Sequence, residues 1–317
     1  MPAARRNWLV WVAVLPVLLW AGIRLLGLDA GFPLAPLMAF TPYVAVAAFL
    51  LAGVAVALRN WPAAALTALA TLALALAVLP RAIGDGTVEA AGRPTLSVLS
   101  ANVHHGTADA GRLVALVDRF EPDVLAIQEL TPSFAAKLRR SGLGERLPAK
   151  LLMSERGASG SGIYSALPLR DLGRAEPVPF GFRMPRALLA VPGAGPVRLV
   201  DVHPYPPSRG NVGIWGQALE SLPGTGAGAP WVLAGDFNAT LDQSQLRDLL
   251  GRGYRDAGAV AGMGLEPTWP ANGYGDPLPP ITIDHVLFDR RLDLVRYEVA
   301  ALAGTDHRPV FAVLALP

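Results

Sequence analysis

Apolar residues crowd the front of the chain. Three stretches stand out: Trp8–Leu28, interrupted by Pro16 and Arg24; Leu34–Leu58, containing Pro36 and Pro42; and the Ala/Leu-rich Pro62–Leu79. Each approaches the ~20 residues that cross about 30 Å of hydrocarbon. In lipid only a helix satisfies its own backbone there, so the pattern predicts three transmembrane helices within residues 1–80. Arg24 can snorkel to an interface, and Trp8, Trp11, Trp20 and Trp61 fall mostly near the ends of the stretches, where indole rings favour the headgroup zone. The alternatives are two spans, a buried helical hairpin, or a cleaved leader headed by Arg5-Arg6. Arg5, Arg6 and Arg59 give a slight positive-inside bias; with three spans it sets the remainder of the chain outside the cell.

Residues 81–93 hold three glycines and no periodicity, and read as a linker. Beyond residue 94 the pattern changes to short β runs alternating with helices. Thr95–Asn102 alternates like a strand and Val124–Glu129 is a buried one. Arg112–Phe120 has helical spacing with Asp109 as candidate cap, and Thr131-Pro132 is a cap followed by proline at the first helical position. Further strands are predicted at 162–166, 186–191, 197–203, 231–237, 282–288, 294–299 and 309–315, with a helix over 211–222. Many strands with interspersed helices predict two sheets packed face to face, with helices outside.

Charge and composition narrow the classes. The 27 Lys+Arg and 25 Asp+Glu give +2 overall, but the excess lies in the first part of the chain; over 94–317 acids outnumber bases by one. A nonspecific nuclease gains affinity by neutralising phosphates, and net charge gives that reading no support. With no cysteine, disulfides, thiolate metal sites and cysteine nucleophiles are excluded.

Polar residues interrupt the β runs at recurring places: Asn102, Gln128-Glu129, His203, Asp236 and Asn238, Asp284-His285, and Asp306-His307. If these strand ends share one edge, they place amides, carboxylates and imidazoles in one pocket. Carboxylate and amide oxygens suit Mg²⁺, Mn²⁺ or Ca²⁺. A metal neutralises phosphate charge and lowers the pKa of bound water. An Asp–Asn pair can orient an attacking water, and histidines can donate to phosphate oxygens or protonate a leaving group. All five histidines (His104, His105, His203, His285, His307) lie in these segments. Each residue also has a structural reading. Asn102 could be a strand-end turn residue, Glu129 a helix-entry charge, Asp236 and Asn238 an Asx turn, His203 a residue fixed before Pro204, Asp284 a cap, and His307 a loop residue. His285 should face away from its neighbour Asp284 on the strand, and His104 and His105 read as loop residues beside the pocket. Arg186, opening an apolar strand, is a candidate phosphate clamp, with an ordinary surface arginine as the alternative.

In this order, Asn102, Gln128-Glu129, Ser161-Gly162-Ile163-Tyr164-Ser165, His203, Gly235-Asp236-Phe237-Asn238, Ile283-Asp284-His285 and Thr305-Asp306-His307-Arg308-Pro309 resemble the motifs of the endonuclease/exonuclease/phosphatase (DNase I-like) superfamily. The resemblance covers 94–317 and implies a four-layer α/β/β/α sandwich and metal-dependent phosphoester hydrolysis, most simply with Mg²⁺. It implies Glu129 as principal metal ligand, supported by Asn102, with Asp306 as a second-site or outer-shell contact. It implies Asp236 as base or water-positioning group held with Asn238, His307 as transition-state stabiliser oriented by Asp284, and His203 as phosphate contact or leaving-group acid. Three spans ahead of such a domain are similar in layout to a bacterial subgroup that includes the VanJ-type teicoplanin-resistance membrane phosphatases, which are associated with undecaprenyl pyrophosphate. Tethering also raises effective concentration toward lipid substrates. The expected substrate is therefore a lipid-linked phosphate or pyrophosphate. The alternatives are a membrane-tethered nuclease, a sphingomyelinase-like phosphodiesterase and a non-catalytic phospholipid-binding module. The expected partners are the bilayer and the phosphorylated substrate, with no protein partner implied. Pro/Gly-rich loops at 204–213, 223–230 and 264–280 are expected to shape access.

Overall fold

In the computed structural model, which describes residues 3–175, 181–271 and 278–317 with side chains from residue 8 onward, the chain begins with helices α1 (Ala3–Leu26), α2 (Leu34–Met38), α3 (Thr41–Ala57), α4 (Trp61–Val78) and α5 (Pro80–Ile83). There follow β1 (Thr95–Asn102), α6 (Ala110–Phe120), β2 (Val124–Gln128), α7 (Pro132–Arg140), α8 (Leu143–Arg146), β3 (Ala149–Met153), β4 (Ser161–Ser165), β5 (Leu169–Arg174), β6 (Pro185–Val191) and β7 (Gly195–Val202). The chain continues through α9 (Val212–Ser221), β8 (Trp231–Asp236), α10 (Ser244–Gly251), β9 (Tyr254–Asp256), α11 (Ala257–Val260), β10 (Asp284–Asp289), β11 (Asp293–Val299) and β12 (Val310–Ala315).

The strands make two six-stranded sheets, ordered β11-β12-β1-β2-β4-β3 and β5-β6-β7-β8-β10-β9. Alternation along each strand supplies two faces, and both are buried. Leu96, Val98 and Val124 meet Leu189, Leu199, Val232 and Val286 between the sheets. The outer face of the first sheet, with Leu99 and Leu125, packs on Leu113 of α6 and Phe134 of α7. The outer face of the second, with Val200 and Leu233, packs on Trp215 of α9 and Leu246 of α10. This is the two-sheet sandwich with helices outside that the β runs predict. Asp109 and Thr131 cap α6 and α7 as read from sequence, accepting from the Arg112 and Phe134 amides at 3.0 and 3.2 Å.

Each sheet is built round one parallel pair. β1 lies parallel to β2, with Asn102 level with Gln128; β7 lies parallel to β8, with Val202 level with Gly235. Parallel strands share their carboxyl ends, and functional groups collect outside such ends. The antiparallel neighbours return to the same edge, with Asp284 of β10 opposite Asp236 and Ser161 of β4 opposite Gln128.

The apolar front differs from the sequence expectation in one respect. Two helices, Trp8–Leu26 and Trp61–Val78, are long and apolar enough to cross a membrane, whereas the middle stretch is not one helix. It breaks after Met38 into α2 and the 17-residue α3. Pro42 in the first turn of α3 cannot donate a backbone hydrogen bond to the preceding turn. Thr41 Oγ1 donates instead to the Met38 carbonyl at 2.7 Å, and α2 turns aside to bury Ala35 in the core of the second sheet. In the bundle of α1, α3 and α4 the buried contacts are mostly small (Val10, Val14, Ala48, Ala55, Ala63, Ala70), while Leu19, Phe49 and Leu76 are each about two-thirds exposed, at 65, 67 and 68%. The bundle thus keeps its small residues inside and presents an apolar outer surface.

Bundle and sandwich are fastened by buried ions. Arg24 Nε of α1 and Arg81 Nη2 of α5 hold the two oxygens of Asp242 at 3.2 and 2.5 Å. Asp29 accepts from the Ser244 amide at 3.0 Å and so caps α10 from the far side of the chain. Gln243 Nε2 donates to the Ala35 carbonyl at 3.0 Å. Along 81–93, the Asp85 and Gly86 amides donate to the Val260 carbonyl at 3.0 and 3.1 Å. Breaking a buried ion group from one side leaves charge uncompensated. Asp242→Ala is expected to cost about 3–5 kcal/mol, read as a fall in Tm of the detergent-purified full chain. An unchanged Tm would show that the triad does not hold the two parts together.

Candidate active site

At the shared edge the first sheet contributes Asn102 and Glu129. The chain leaves β2 through Glu129 with a φ of 59°, a left-handed conformation that a side chain bearing a Cβ adopts at a cost. The turn is held by its own carboxylate: Oε2 accepts from the His105 amide at 2.6 Å, and Oε1 from Asn102 Nδ2 at 3.3 Å. Asn102 Nδ2 also donates to Asp236 Oδ2 at 3.0 Å, so one amide joins the two sheets.

The second sheet contributes His203, Asp236, Asn238 and Asp284. A Cβ at Gly235 would lie 2.0 Å from the Val202 carbonyl oxygen, so glycine is what lets β7 and β8 close beside the site. Asn238, with φ 49°, turns the chain back, and its amide donates to Asp236 Oδ1 at 2.8 Å. Its side-chain Nδ2 donates to the Pro204 carbonyl at 3.1 Å, fixing the loop after β7.

Asp236 and Asp284 face each other in the ladder, an arrangement that like charges oppose. His307 relieves it: Nδ1 lies 2.9 Å from Asp284 Oδ2, and Nε2 lies 3.6 Å from Asp236 Oδ2. Thr305 Oγ1 accepts from the His307 amide at 3.1 Å and donates to the Asn102 carbonyl at 2.9 Å, locking the last loop to β1. His203 Nε2 stands 3.7 Å from Asp236 Oδ2 and 3.9 Å from Glu129 Oε1. Asn102, Glu129, His203, Asp236, Asp284 and His307 are buried, and Asn238 is half-buried.

Burial and neighbours set two imidazoles in opposite states. Burial opposes the charge on His307, but the Asp284 and Asp236 carboxylates more than offset it and raise its pKa to about 10. His203 is pushed down to about 3, by burial first and then by the charges of His307 and His105. The Asp236 carboxyl is raised to about 7, by burial, with the Asp284 charge adding and His307 opposing.

The donor set fits a divalent cation. Oxygens of Glu129 and Asp236 converge on a single Asn102 amide, a hard-oxygen arrangement short of positive charge. Candidate ligand atoms of Asp236, Asp284 and His307 lie within 4.8 Å of one another, as do those of His104, His105 and Glu129. Asp306 borders this group: Oδ1 is 2.7 Å from His104 Nδ1, and Oδ2 accepts from Trp269 Nε1 at 3.0 Å.

Two residues fall outside the cluster. Arg186 is level with Val200, whose side chain packs in the outer core of the second sheet, and its Nη2 donates to the Leu172 carbonyl on β5 at 3.2 Å. Directly paired residues share a sheet face, so Arg186 points away from the inter-sheet edge and is not brought to the phosphate position sought from sequence. His285 lies on the outer face, bound at 2.9 Å to both Asp256 Oδ2 and the Ala239 carbonyl, as alternation implies.

Further residues join the site: the two loop histidines read from sequence as lying beside the pocket, and others that were not singled out. His104 and His105, at φ 44 and 55°, form a left-handed turn against Asp306 and Glu129. Asp201 binds Gln128 Nε2 at 2.6 Å and the Gly162 amide at 3.0 Å, tying the sheets together beneath Glu129. A carboxylate inside the apolar run Leu199–Val202 was the available signal. Thr268 Oγ1 accepts from the Asp284 amide at 3.1 Å, and Phe182 packs its ring 4.8 Å from that of His203. These last contacts arise from distant loops and carry no sequence signature.

Known structures share this architecture. An endonuclease/exonuclease/phosphatase from Beutenbergia cavernae is 20% identical with a TM-score of 0.56, over 71% of this chain and 72% of that one. A functionally unknown conserved protein from Enterococcus faecalis gives 15% and 0.54, over 70% and 100%. D. rerio TDP2 complexed with a single-strand DNA product gives 17% and 0.52, over 69% and 98%. No curated protein matches. The family model described as Endonuclease/Exonuclease/phosphatase family matches residues 99–307, from within β1 to His307. The chain thus belongs to the endonuclease/exonuclease/phosphatase family, a superfamily of phosphoester hydrolases.

Proposed function

We propose that this protein is a membrane-anchored, divalent-metal-dependent hydrolase of a lipid-linked phosphate ester or pyrophosphate, of the undecaprenyl pyrophosphate kind. The observation that carries the reading is the apolar outer surface of α1, α3 and α4, joined to the catalytic sandwich by the buried Arg24–Asp242–Arg81 group. Exposed apolar patches of this extent mark a membrane or partner surface, and the fastening holds the site at a fixed place beside it. The shorter α3 spans about 25 Å at 1.5 Å per residue, enough to cross with its neighbours. Arg59 and the α1 start, with Arg5 and Arg6, supply the positive-inside signal, which sets the catalytic domain outside. Protease added to intact cells should then reach that domain; protection would reverse the orientation.

Glu129 and Asn102 would hold the cation, with Asp306 in an outer position; Mg²⁺ is the simplest choice, and the imidazoles of His104 and His105 beside Glu129 also suit Mn²⁺. When bound, the cation neutralises phosphate charge and polarises a phosphoryl oxygen. Asp236, its carboxyl near 7 and steadied by the Asn238 amide, takes a proton from the attacking water close to neutral pH. The His307 imidazolium, oriented by Asp284, donates toward charge that grows on phosphorus-bound oxygen. His203, being neutral, serves as a hydrogen-bond donor to phosphate rather than a proton source.

Two measurements test this. Mg²⁺ or Mn²⁺ should raise the Tm of the full chain by mass action, and Glu129→Gln should abolish the rise; an equal rise in the variant would place the ion elsewhere. Phosphate release from polyprenyl pyrophosphate in detergent with Mg²⁺ should occur, and His307→Gln should slow it by about a hundredfold to a thousandfold. Cleavage of DNA without phosphate release would make the protein a nuclease, and release of a phospholipid headgroup a phosphodiesterase.

A further inference from the structure

Beside the catalytic edge lies a second feature that the chemistry does not use. A cavity of about 260 Å³ opens between α2–α3 and the sandwich. Its walls are almost wholly apolar: Phe40 from the α2–α3 break, and Trp269, Leu278, Ile281 and Ile283 from the chain before β10. At its inner end are two residues of the site itself. Asn238 lines it and holds Asp236 through its amide, while Trp269 lines it and donates to Asp306. At its outer end Ala39 and Ile281 are shared with a neighbouring cavity of about 250 Å³, which Tyr43 and Val46 of α3 border. Val46 is 61% exposed and belongs to the apolar outer surface of the bundle. Two cavities that share Ala39 and Ile281 therefore lie in succession between the outward face of α3 and Asn238, the outer one also bordered by the Arg81–Asp242 pair.

We infer that this groove seats the first carbons of the substrate's hydrocarbon tail, fixing the phosphate over Asp236 while the remainder of the tail stays in the bilayer. The inference rests on the lipid-linked reading above. Three features select a tail over other occupants. The walls offer few polar partners for a sugar or a base. Leu278 is 43% exposed, and an apolar chain laid against it and its neighbours removes their surface from water. The volume lies below that of a typical drug-sized pocket, as befits one end of a chain rather than a whole ligand. Phe40, between α2 and α3, lies at the break and lines this cavity.

The test uses the full chain in detergent with a series of n-alkyl pyrophosphates, ethyl to decyl, below their micellar concentrations. Each methylene seated in the groove should raise kcat/KM about fourfold, flattening once the groove is full. Leu278→Glu and Ile281→Glu should lower the decyl-to-ethyl ratio at least ~tenfold. In parallel, a decyl phosphate carrying a diazirine on its chain should label wild-type peptides containing residues 36–40 or 278–283, in competition with unlabelled decyl phosphate. Ratios unchanged in both variants, or label confined to other peptides, would overturn the groove while leaving a lipid phosphatase intact. A wild-type enzyme that turns over no alkyl or polyprenyl pyrophosphate would remove the proposed function and the groove with it. If the variants fail to fold, the labelling pattern decides.

Discussion

Negative charge without enough positive charge is the constraint on which this site depends. Glu129, Asp236 and Asp284 are brought inside one sandwich edge by strands that cannot place them elsewhere. One imidazolium and one amide meet part of that load. A buried carboxylate left unpaired is costly, so the acidic groups of this edge suit a divalent cation. The opposite charge states of His203 and His307 follow from the same crowding. Burial opposes charge on both; of the two, only His307 lies hydrogen-bonded to a carboxylate, and its charge further suppresses charge on His203.

Much of this was written in the chain. The strands from Thr95 to Asn102 and from Val124 to Gln128 are apolar runs punctuated by a polar end, and the punctuation is the site. The caps at Asp109 and Thr131 are local and legible for that reason. What escaped was non-local. The edge strands β3 and β5 are half-exposed and lack a clean alternating pattern. Helix α10 has no cap of its own, because Asp29 caps it from 215 residues away. The break at Phe40 depends on Ala35 finding a place in the second sheet's core, which periodicity cannot foresee. Arg186 kept two readings because a strand-opening arginine has two faces to choose from, and only the register with Val200 sets it on the outer one.

The two sheets repeat one plan, a central parallel pair joined by a crossover helix, although their sequences show no repeat. Each half delivers a different half of the chemistry. The first brings the amide and Glu129; the second brings the paired aspartates and His203. Neither set meets the chemical requirement alone, and the Asn102–Asp236 and Gln128–Asp201 contacts are where the halves are made into one.

The Arg24–Asp242–Arg81 triad has an architectural consequence. Asp242 is fully enclosed, and both guanidinium groups reach it from outside the sandwich. The sandwich therefore cannot be joined to a foreign helical bundle as a self-sufficient cassette. Any replacement must present two arginines at matching positions, or else exchange Asp242 for a neutral residue at the same time.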